Sequence, residues 1–366
     1  VNAAGRLVKI ISERNPEPGK DLHLTIDLEF QKKIMQLIEG KNAIVAVMDL
    51  ETGGLLALAS TPAYDPNVFV SPDRAKERAA ILASEHSPLL DRAMNSVYPP
   101  GSIFKLITGL AGLEMGVIKP GSRFYCGGQF FSSAKARPMK CWWHSGHGSI
   151  NLYESLERSC NVFFYNVARK VGPDQIAYHA RLFGYGASYT LETGKVSAGL
   201  IPDPQWKLKK MHLPWYEGET LNMGIGQGYV QSNPIQILRM TAMIAKDGEI
   251  VEPHLFQKER DPSVRRPRLP VKKENLSALR KGMLQAVQSP YGTGQLADVS
   301  FARLAGKTGT AQDPPRQPHS WMTGFIPFDK PKLALVVFVE NGGSGGITSG
   351  KIVKEILMAA KEQNLV

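Results

Sequence analysis

Two prolines and a glycine, Pro99-Pro100-Gly101, halt the chain directly before an apolar run that reaches from Ile103 to Leu113. Proline is excluded from a helix interior but suits its approach or first turn, so this stretch predicts a helix starting near Ser102. The run is apolar on nearly every face, and such a helix has to be buried by the rest of the fold. Lys105 is the one charge inside it. Helical spacing at i and i+3 puts the Ser102 hydroxyl and the Lys105 amine on one face. The free N–H groups of a helix start can also hold an oxyanion. Burial strips an amine of hydration and lowers its pKa, which suits a base activating a nucleophilic serine. The same residues also suit an N-capping serine and a lysine that reaches solvent, and Ser-x-x-Lys alone is a common pattern.

Strand-like segments lie toward both ends of the chain, and most helical ones lie between them. Residues 21–26 alternate polar and apolar, and 28–39 carry helical spacing at Phe30, Ile34, Leu37 and Ile38. Apolar runs at 42–50 and 55–60 flank Glu51-Thr-Gly-Gly54, a hairpin pattern. Residues 153–170 read as helical with a break at Ser159-Cys-Asn161, and further helices are expected over 234–246 and 276–288. Residues 124–149 and 193–228 read as irregular. Three strands are expected at 304–312, 320–326 and 333–339, then a helix over 347–360. This layout predicts an α+β fold, an α/β sandwich whose antiparallel sheet is built from both termini with a helical subdomain inserted.

Hydrophobic content of 43% and charged content of 21% are those of a globular chain. The net charge of +11 is partly clustered, at Lys207, Lys209 and Lys210 and again at Arg265, Arg266, Arg268, Lys272 and Lys273. An anionic surface or polymer suits that charge, and no nucleic-acid-binding motif accompanies it, so no nucleic-acid partner is expected. The longest strong apolar run, 333–339, is far shorter than a membrane span. The chain starts at Val1, so any membrane anchor is expected outside it, on the N-terminal side.

Three motifs occur in a fixed order: Ser102-Ile-Phe-Lys105, Ser159-Cys-Asn161 and Lys307-Thr-Gly-Thr310. Each is weak alone. Together they resemble the Ser-x-x-Lys, Ser-x-Asn and Lys-Thr-Gly set of penicillin-binding proteins and serine β-lactamases. Leu24-Thr-Ile-Asp27, Ser60-Thr-Pro-Ala-Tyr-Asp-Pro-Asn67, Tyr98-Pro-Pro-Gly101, Gly226-Gln-Gly228 with Pro234-Ile-Gln236, and Val339-Glu-Asn341 with Gly342-Gly343 extend the resemblance to class B penicillin-binding proteins, nearest the elongation type. It covers residue 21 to the end, so residues 1–20 are expected to finish an N-terminal pedestal and 21–366 to form a transpeptidase domain.

The resemblance implies a peptidoglycan D,D-transpeptidase of cell-wall elongation, acylated by β-lactam antibiotics and facing the periplasm. Ser102 would attack the penultimate D-alanine carbonyl of a stem peptide and Lys105 take its proton. Ser159 would relay a proton, and Asn161 hold Lys105 and the peptide. Lys307, Thr308 and Thr310 would meet the terminal carboxylate, with Gly309 leaving room for substrate. The N–H groups of Ser102 and Thr310 would form the oxyanion hole. A polytopic glycosyltransferase of the cell-shape machinery is the implied partner. A serine β-lactamase and a non-catalytic β-lactam sensor are the alternatives on the same fold.

All three cysteines, Cys126, Cys141 and Cys160, fall close together in sequence, with His144 and His147 among them. A Cys126–Cys141 disulfide with Cys160 buried is one reading. Zinc held by Cys126, Cys141, His147 and Cys160 is the other, with His144 as rival for the histidine position. The resemblance favours structural zinc: some elongation-type enzymes carry one on two aspartates, a histidine and the middle residue of the Ser-x-Asn motif. Here two cysteines stand where those aspartates would be.

Overall fold

The run from Leu333 to Val339 becomes the middle strand of a five-stranded antiparallel sheet. This computed structural model describes every residue except 1, 4, 5, 7, 10, 11, 13, 14, 134–136 and 258–263. Part of the expected pedestal segment, residues 1–20, therefore lies outside the described residues. The sheet strands are β1 (Ala43–Asp49), β2 (Leu55–Thr61), β3 (Ala305–Asp313), β4 (Arg316–Ile326) and β5 (Leu333–Val339), in the order β2-β1-β5-β4-β3. The two chain ends thus meet in one sheet, with Val45 opposite Val337 and Thr323 opposite both Val336 and Lys307.

Strand geometry sends alternate residues to opposite faces. On β5, Ala334, Val336 and Phe338 enter one core, and Leu333, Leu335, Val337 and Val339 enter another. Both faces are covered, which is why this strand is apolar throughout. Helices α1 (Leu28–Leu37) and the C-terminal Thr348–Glu362 cover one face through Phe30, Ile34, Val353 and Ile356. The inserted helices cover the other. They include α2 (Lys105–Glu114), α3 (Leu152–Glu157), α4 (Asn161–Val171), α5 (Pro234–Ala245) and α6 (Lys273–Gln288). As the apolar run requires, every residue from Lys105 to Leu113 is buried.

Three expectations change. Residues 21–26 form no strand: Leu24 makes an isolated bridge to Phe256, and Leu22 and Leu24 stay exposed, so no face is buried to hold one. The stretch 193–228 is not irregular, since it holds helices Pro204–Met211 and Glu217–Gly224. Its proline marks a first turn, where Asp203 accepts a hydrogen bond from the Trp206 N–H at 2.7 Å. Residues 124–149 contain short strands, Phe124–Cys126 paired with Gly148–Ile150 and Gln129–Phe130 paired with Met139–Lys140. Among the described residues, no helix is long and apolar enough to cross a membrane.

Candidate active site

Ser102 lies in a 3₁₀ turn, Gly101–Phe104, and the α-helix begins only at Lys105. Three residues per turn align Ser102 with Lys105 more closely than an α-helix would. The turn is held from both sides. Gly101 N–H donates to the Gly226 carbonyl at 3.0 Å, and the Trp321 indole N–H donates to the Pro99 carbonyl at 3.0 Å. Gly101 has φ +53°, and a Cβ there would sit 2.9 Å from the Thr310 carbonyl oxygen, so the position requires glycine. Ser102 lines a cleft of about 610 Å³, and no described residue hydrogen-bonds its hydroxyl.

Lys105 is fully buried, and its Nζ lies 2.7 Å from the Ser159 carbonyl, 2.7 Å from Asn161 Oδ1 and 3.3 Å from Ser159 Oγ. The first two partners are pure acceptors and take two N–H groups. The third is a hydroxyl, which can donate, so a neutral amine satisfies the site with its lone pair toward Ser159. Burial pushes the Lys105 pKa down to about 8, while the nearby sulfurs of Cys160, Cys141 and Cys126 pull it upward. Lys307 Nζ reaches Ser159 Oγ at 3.0 Å and the Thr308 carbonyl at 2.9 Å. Burial, then the charge of Lys105, holds Lys307 well below the usual lysine range. The Ser159 hydroxyl can therefore accept from Lys307 and donate to Lys105, a short proton path between two buried amines.

Ser159 occupies the break between α3 and α4 with φ +53°, a left-handed conformation that costs a serine about 1–3 kcal/mol. The next residue holds it there. Cys160 is fully buried, its N–H donates to the Ser155 carbonyl at 3.0 Å, and its sulfur accepts from the Phe163 N–H at 3.4 Å, capping α4.

The sulfur of Cys160 also enters a cluster. Its distance to the Cys141 sulfur is 4.0 Å, and His147 Nδ1 lies 3.6 Å from Cys126 Sγ and 3.5 Å from Cys141 Sγ. The four ligand atoms all fall within 4.8 Å of one another, and the three cysteines are free thiols rather than a disulfide. His144 is exposed and outside the cluster. The Asn161 N–H points at the Cys141 sulfur, 3.4 Å away. Hydrogen bonds from Cys160 push the Cys126 and Cys141 thiols down and raise Cys160 in return. Burial alone would lower His147, but the Cys141 and Cys126 sulfurs outweigh it and raise it.

β3 is an edge of the sheet, and its side chains alternate around the cleft. Thr308 and Thr310 line it. Thr308 Oγ1 donates to Thr293 Oγ1 at 2.7 Å, and Thr310 Oγ1 accepts from the Gly345 N–H at 3.2 Å. Gly309 works differently from the expectation: a Cβ there would lie 2.9 Å from the Pro100 carbonyl and 3.0 Å from Trp321 Cβ. The space it leaves is filled by the Ser102 turn packing on the strand. The cleft also exposes Trp142, Gln227 and Thr293, which sequence reasoning did not single out as site residues. Gln227 lies in the Gly226-Gln-Gly228 motif, but nothing local marks Trp142 or Thr293.

Comparison with known proteins agrees with this arrangement. Residues 43–358 match the family model for the penicillin binding protein transpeptidase domain. The chain is 33% identical over 381 aligned residues to the peptidoglycan D,D-transpeptidase MrdA of Escherichia coli K12, an alignment that takes in 98% of this chain and 60% of that protein. It is similar to the crystal structure of Pseudomonas aeruginosa PBP2 in complex with WCK 5153, with TM-score 0.87 and 35% identity over 94% of this chain and 76% of that one. It is also similar to PBP2 of Helicobacter pylori in its complex with MreC, with TM-score 0.88 and 30% identity over 100% of this chain and 68% of that one. The chain thus spans 60% of the length of the Escherichia coli relative. A match that runs from the first sheet strand into the last helix, across all three motifs, means that the chain belongs to the penicillin-binding-protein transpeptidase family.

Proposed function

We propose that this chain carries a peptidoglycan D,D-transpeptidase activity that cross-links stem peptides through an ester on Ser102, and that β-lactams acylate the same hydroxyl. One observation carries the reading: Ser102, Ser159 and Asn161 line one cleft, and the buried amines of Lys105 and Lys307 share the Ser159 hydroxyl. Ser102 Oγ attacks the penultimate D-alanine carbonyl, and its proton passes to the neutral Lys105 amine. The C–N bond to the terminal D-alanine then breaks, and Ser159 delivers its proton to the leaving nitrogen while taking one back from the Lys105 ammonium. An amine from a second stem peptide attacks the ester and releases Ser102. The backbone N–H groups of Ser102 and Thr310 are the proposed oxyanion donors, and Thr308, Thr310 and Lys307 the proposed carboxylate site. Asn161 positions Lys105 and the peptide.

A β-lactamase needs a base for the deacylating water, and no carboxylate lines the cleft among the described residues. A transpeptidase should therefore release D-alanine from a D-Ala-D-Ala peptide yet stay acylated by penicillin. Acylation without any D-alanine release would favour the sensor, and catalytic hydrolysis of penicillin the β-lactamase. In addition, Thr310→Val is expected to slow acylation by carboxylate-bearing substrates about ten-fold or more, the worth of a hydrogen bond to a charged group. Methyl esters of the same substrates should lose far less, and an equal loss on both would point to a structural role.

The cluster of Cys126, Cys141, His147 and Cys160 is proposed to hold a structural zinc. Tetrahedral zinc with S and N bonds of about 2.3 and 2.1 Å sets its ligand atoms roughly 3.6–3.8 Å apart. The observed separations of 3.5, 3.6 and 4.0 Å suit that geometry. The ion would supply no chemistry to the reaction; it would fix the turn that presents Ser159 and Asn161. Residues 21–366 are proposed as the transpeptidase domain and 1–20 as the end of a pedestal, with an anchor on the N-terminal side holding the domain on the periplasmic face of the cytoplasmic membrane. A polytopic glycosyltransferase of the elongation machinery is the proposed partner, and the MreC bound to the Helicobacter pylori relative supports a place in such an assembly.

A further inference from the structure

Cys141 and Cys160 come from separate parts of the chain, and both brace Asn161. Cys160 directly precedes it, and the Asn161 N–H donates to the Cys141 sulfur at 3.4 Å. The Asn161 side-chain amide donates to the carbonyl of Lys140, the residue before Cys141, at 3.1 Å. The other end of that side chain, Oδ1, accepts from Lys105 Nζ at 2.7 Å, and the Ser159 carbonyl accepts from the same amine at 2.7 Å. A shift of either cysteine is therefore carried straight to the turn that holds Lys105.

The two sulfurs lie 4.0 Å apart, and neither belongs to a disulfide. Reaching an S–S bond of about 2.05 Å asks for about 2 Å of movement. Cys160 is the fixed partner, tied to the Ser155 carbonyl and the Phe163 N–H inside the core. Cys141 is the movable one, because residues 142–145 that follow it are exposed. Local opening of such a surface stretch also lets a small oxidant reach a covered thiol.

We propose that Cys141 and Cys160 form an oxidation site, at which a hydroperoxide joins them in a disulfide that draws Asn161 away from the Lys105 amine and slows acylation of Ser102. Hydrogen peroxide transfers one oxygen to the Cys141 sulfur, giving a sulfenic acid and one water. The Cys160 sulfur then attacks the Cys141 sulfur; the S–S bond forms, the S–O bond breaks and the oxygen leaves as a second water. Two thiols and one peroxide thus become a disulfide and two waters, with two electrons passing from the sulfurs to the peroxide. Oxidation leaves only Cys126 and His147 of the four ligands proposed for zinc, too few to keep the ion. Bare thiols follow the same step, so the inference does not need the metal. The effect on acylation rests on the reading of Ser102 as nucleophile, and the oxidising setting on the periplasmic reading.

The test treats the reduced full chain with hydrogen peroxide. It reads disulfides by peptide mass spectrometry without reduction, zinc release with a chromogenic chelator, and the rate of penicillin acylation. The expected product joins the peptides of Cys141 and Cys160 and leaves Cys126 open to alkylation. Acylation should fall about ten-fold or more in step with that product. Dithiothreitol, with zinc added back, should restore the rate. That thiol does not reverse methionine sulfoxide, so recovery assigns the loss to the disulfide and not to any of the 12 methionines. Cys126→Ser keeps the pair and should still cross-link, whereas Cys141→Ser should lose the peroxide response, each variant judged against its own untreated rate. No reaction at the pair, a disulfide through Cys126, oxidation that runs on to sulfinic acid, or a Cys141–Cys160 bond that leaves acylation unchanged would overturn the inference. Metal-free protein that forms the bond would count against the zinc reading alone. Protein that forms the bond but is never acylated would count against the transpeptidase reading, because the disulfide is read without turnover.

Discussion

Lys105→Ala is expected to slow acylation of Ser102 by at least about a hundred-fold, within the range removed with a general base. The amine is buried in a helix whose one other charge is its last residue, Glu114, and two of its three neighbours are pure acceptors, so its lone pair faces the third, the Ser159 hydroxyl. The sign of the pH dependence follows from its lowered pKa. Only the neutral amine can take a proton, and its fraction rises as pH rises through about 8, so acylation by a β-lactam should climb through that region and level off above it. In Lys105→Ala that step should disappear along with most of the rate. Stopped-flow acylation across pH 6–10 checks both parts; a variant retaining the step would assign it to another group, with Lys307 the first suspect.

Cys160→Ser carries the second large effect. Ser159 is held in a left-handed conformation by a neighbour anchored in the core, and the same sulfur joins the four-residue cluster. Replacing a thiolate by a hydroxyl weakens a zinc site strongly, since an alcohol is a poor ligand at neutral pH. With the anchor lost, Ser159 can relax, and both its hydroxyl and the Asn161 amide leave the Lys105 amine. Metal content per chain should fall from about one to near zero, and acylation by ten-fold or more. The Ser102 helix should survive, because its packing lies in the apolar core. Elemental analysis under reducing conditions with the acylation rate measures this. Metal-free wild-type protein that acylates normally would remove zinc from the account.

The legible parts of the sequence were those where one physical demand dominates. The strand 333–339 is apolar because both its faces are covered, and the helix after Pro100 because it is buried all round. The three motifs carry reactive groups at spacings that helix and strand geometry translate directly. Less legible were features set by distant contacts. Pro204, within a stretch that reads as irregular, opens a helix, a choice made by Asp203. Gly309 looked like room for substrate and proves to be room for Pro100. Trp142 and Thr293 bear no local mark, since their importance lies in which residues the fold brings beside them.

The central claim is that Ser102 is the nucleophile. Intact-protein and peptide mass spectrometry after incubation with penicillin tests it most directly. One adduct per chain is expected, on the peptide containing Ser102, and none on folded Ser102→Ala protein. An adduct on another residue, or undiminished labelling of Ser102→Ala, would contradict the account.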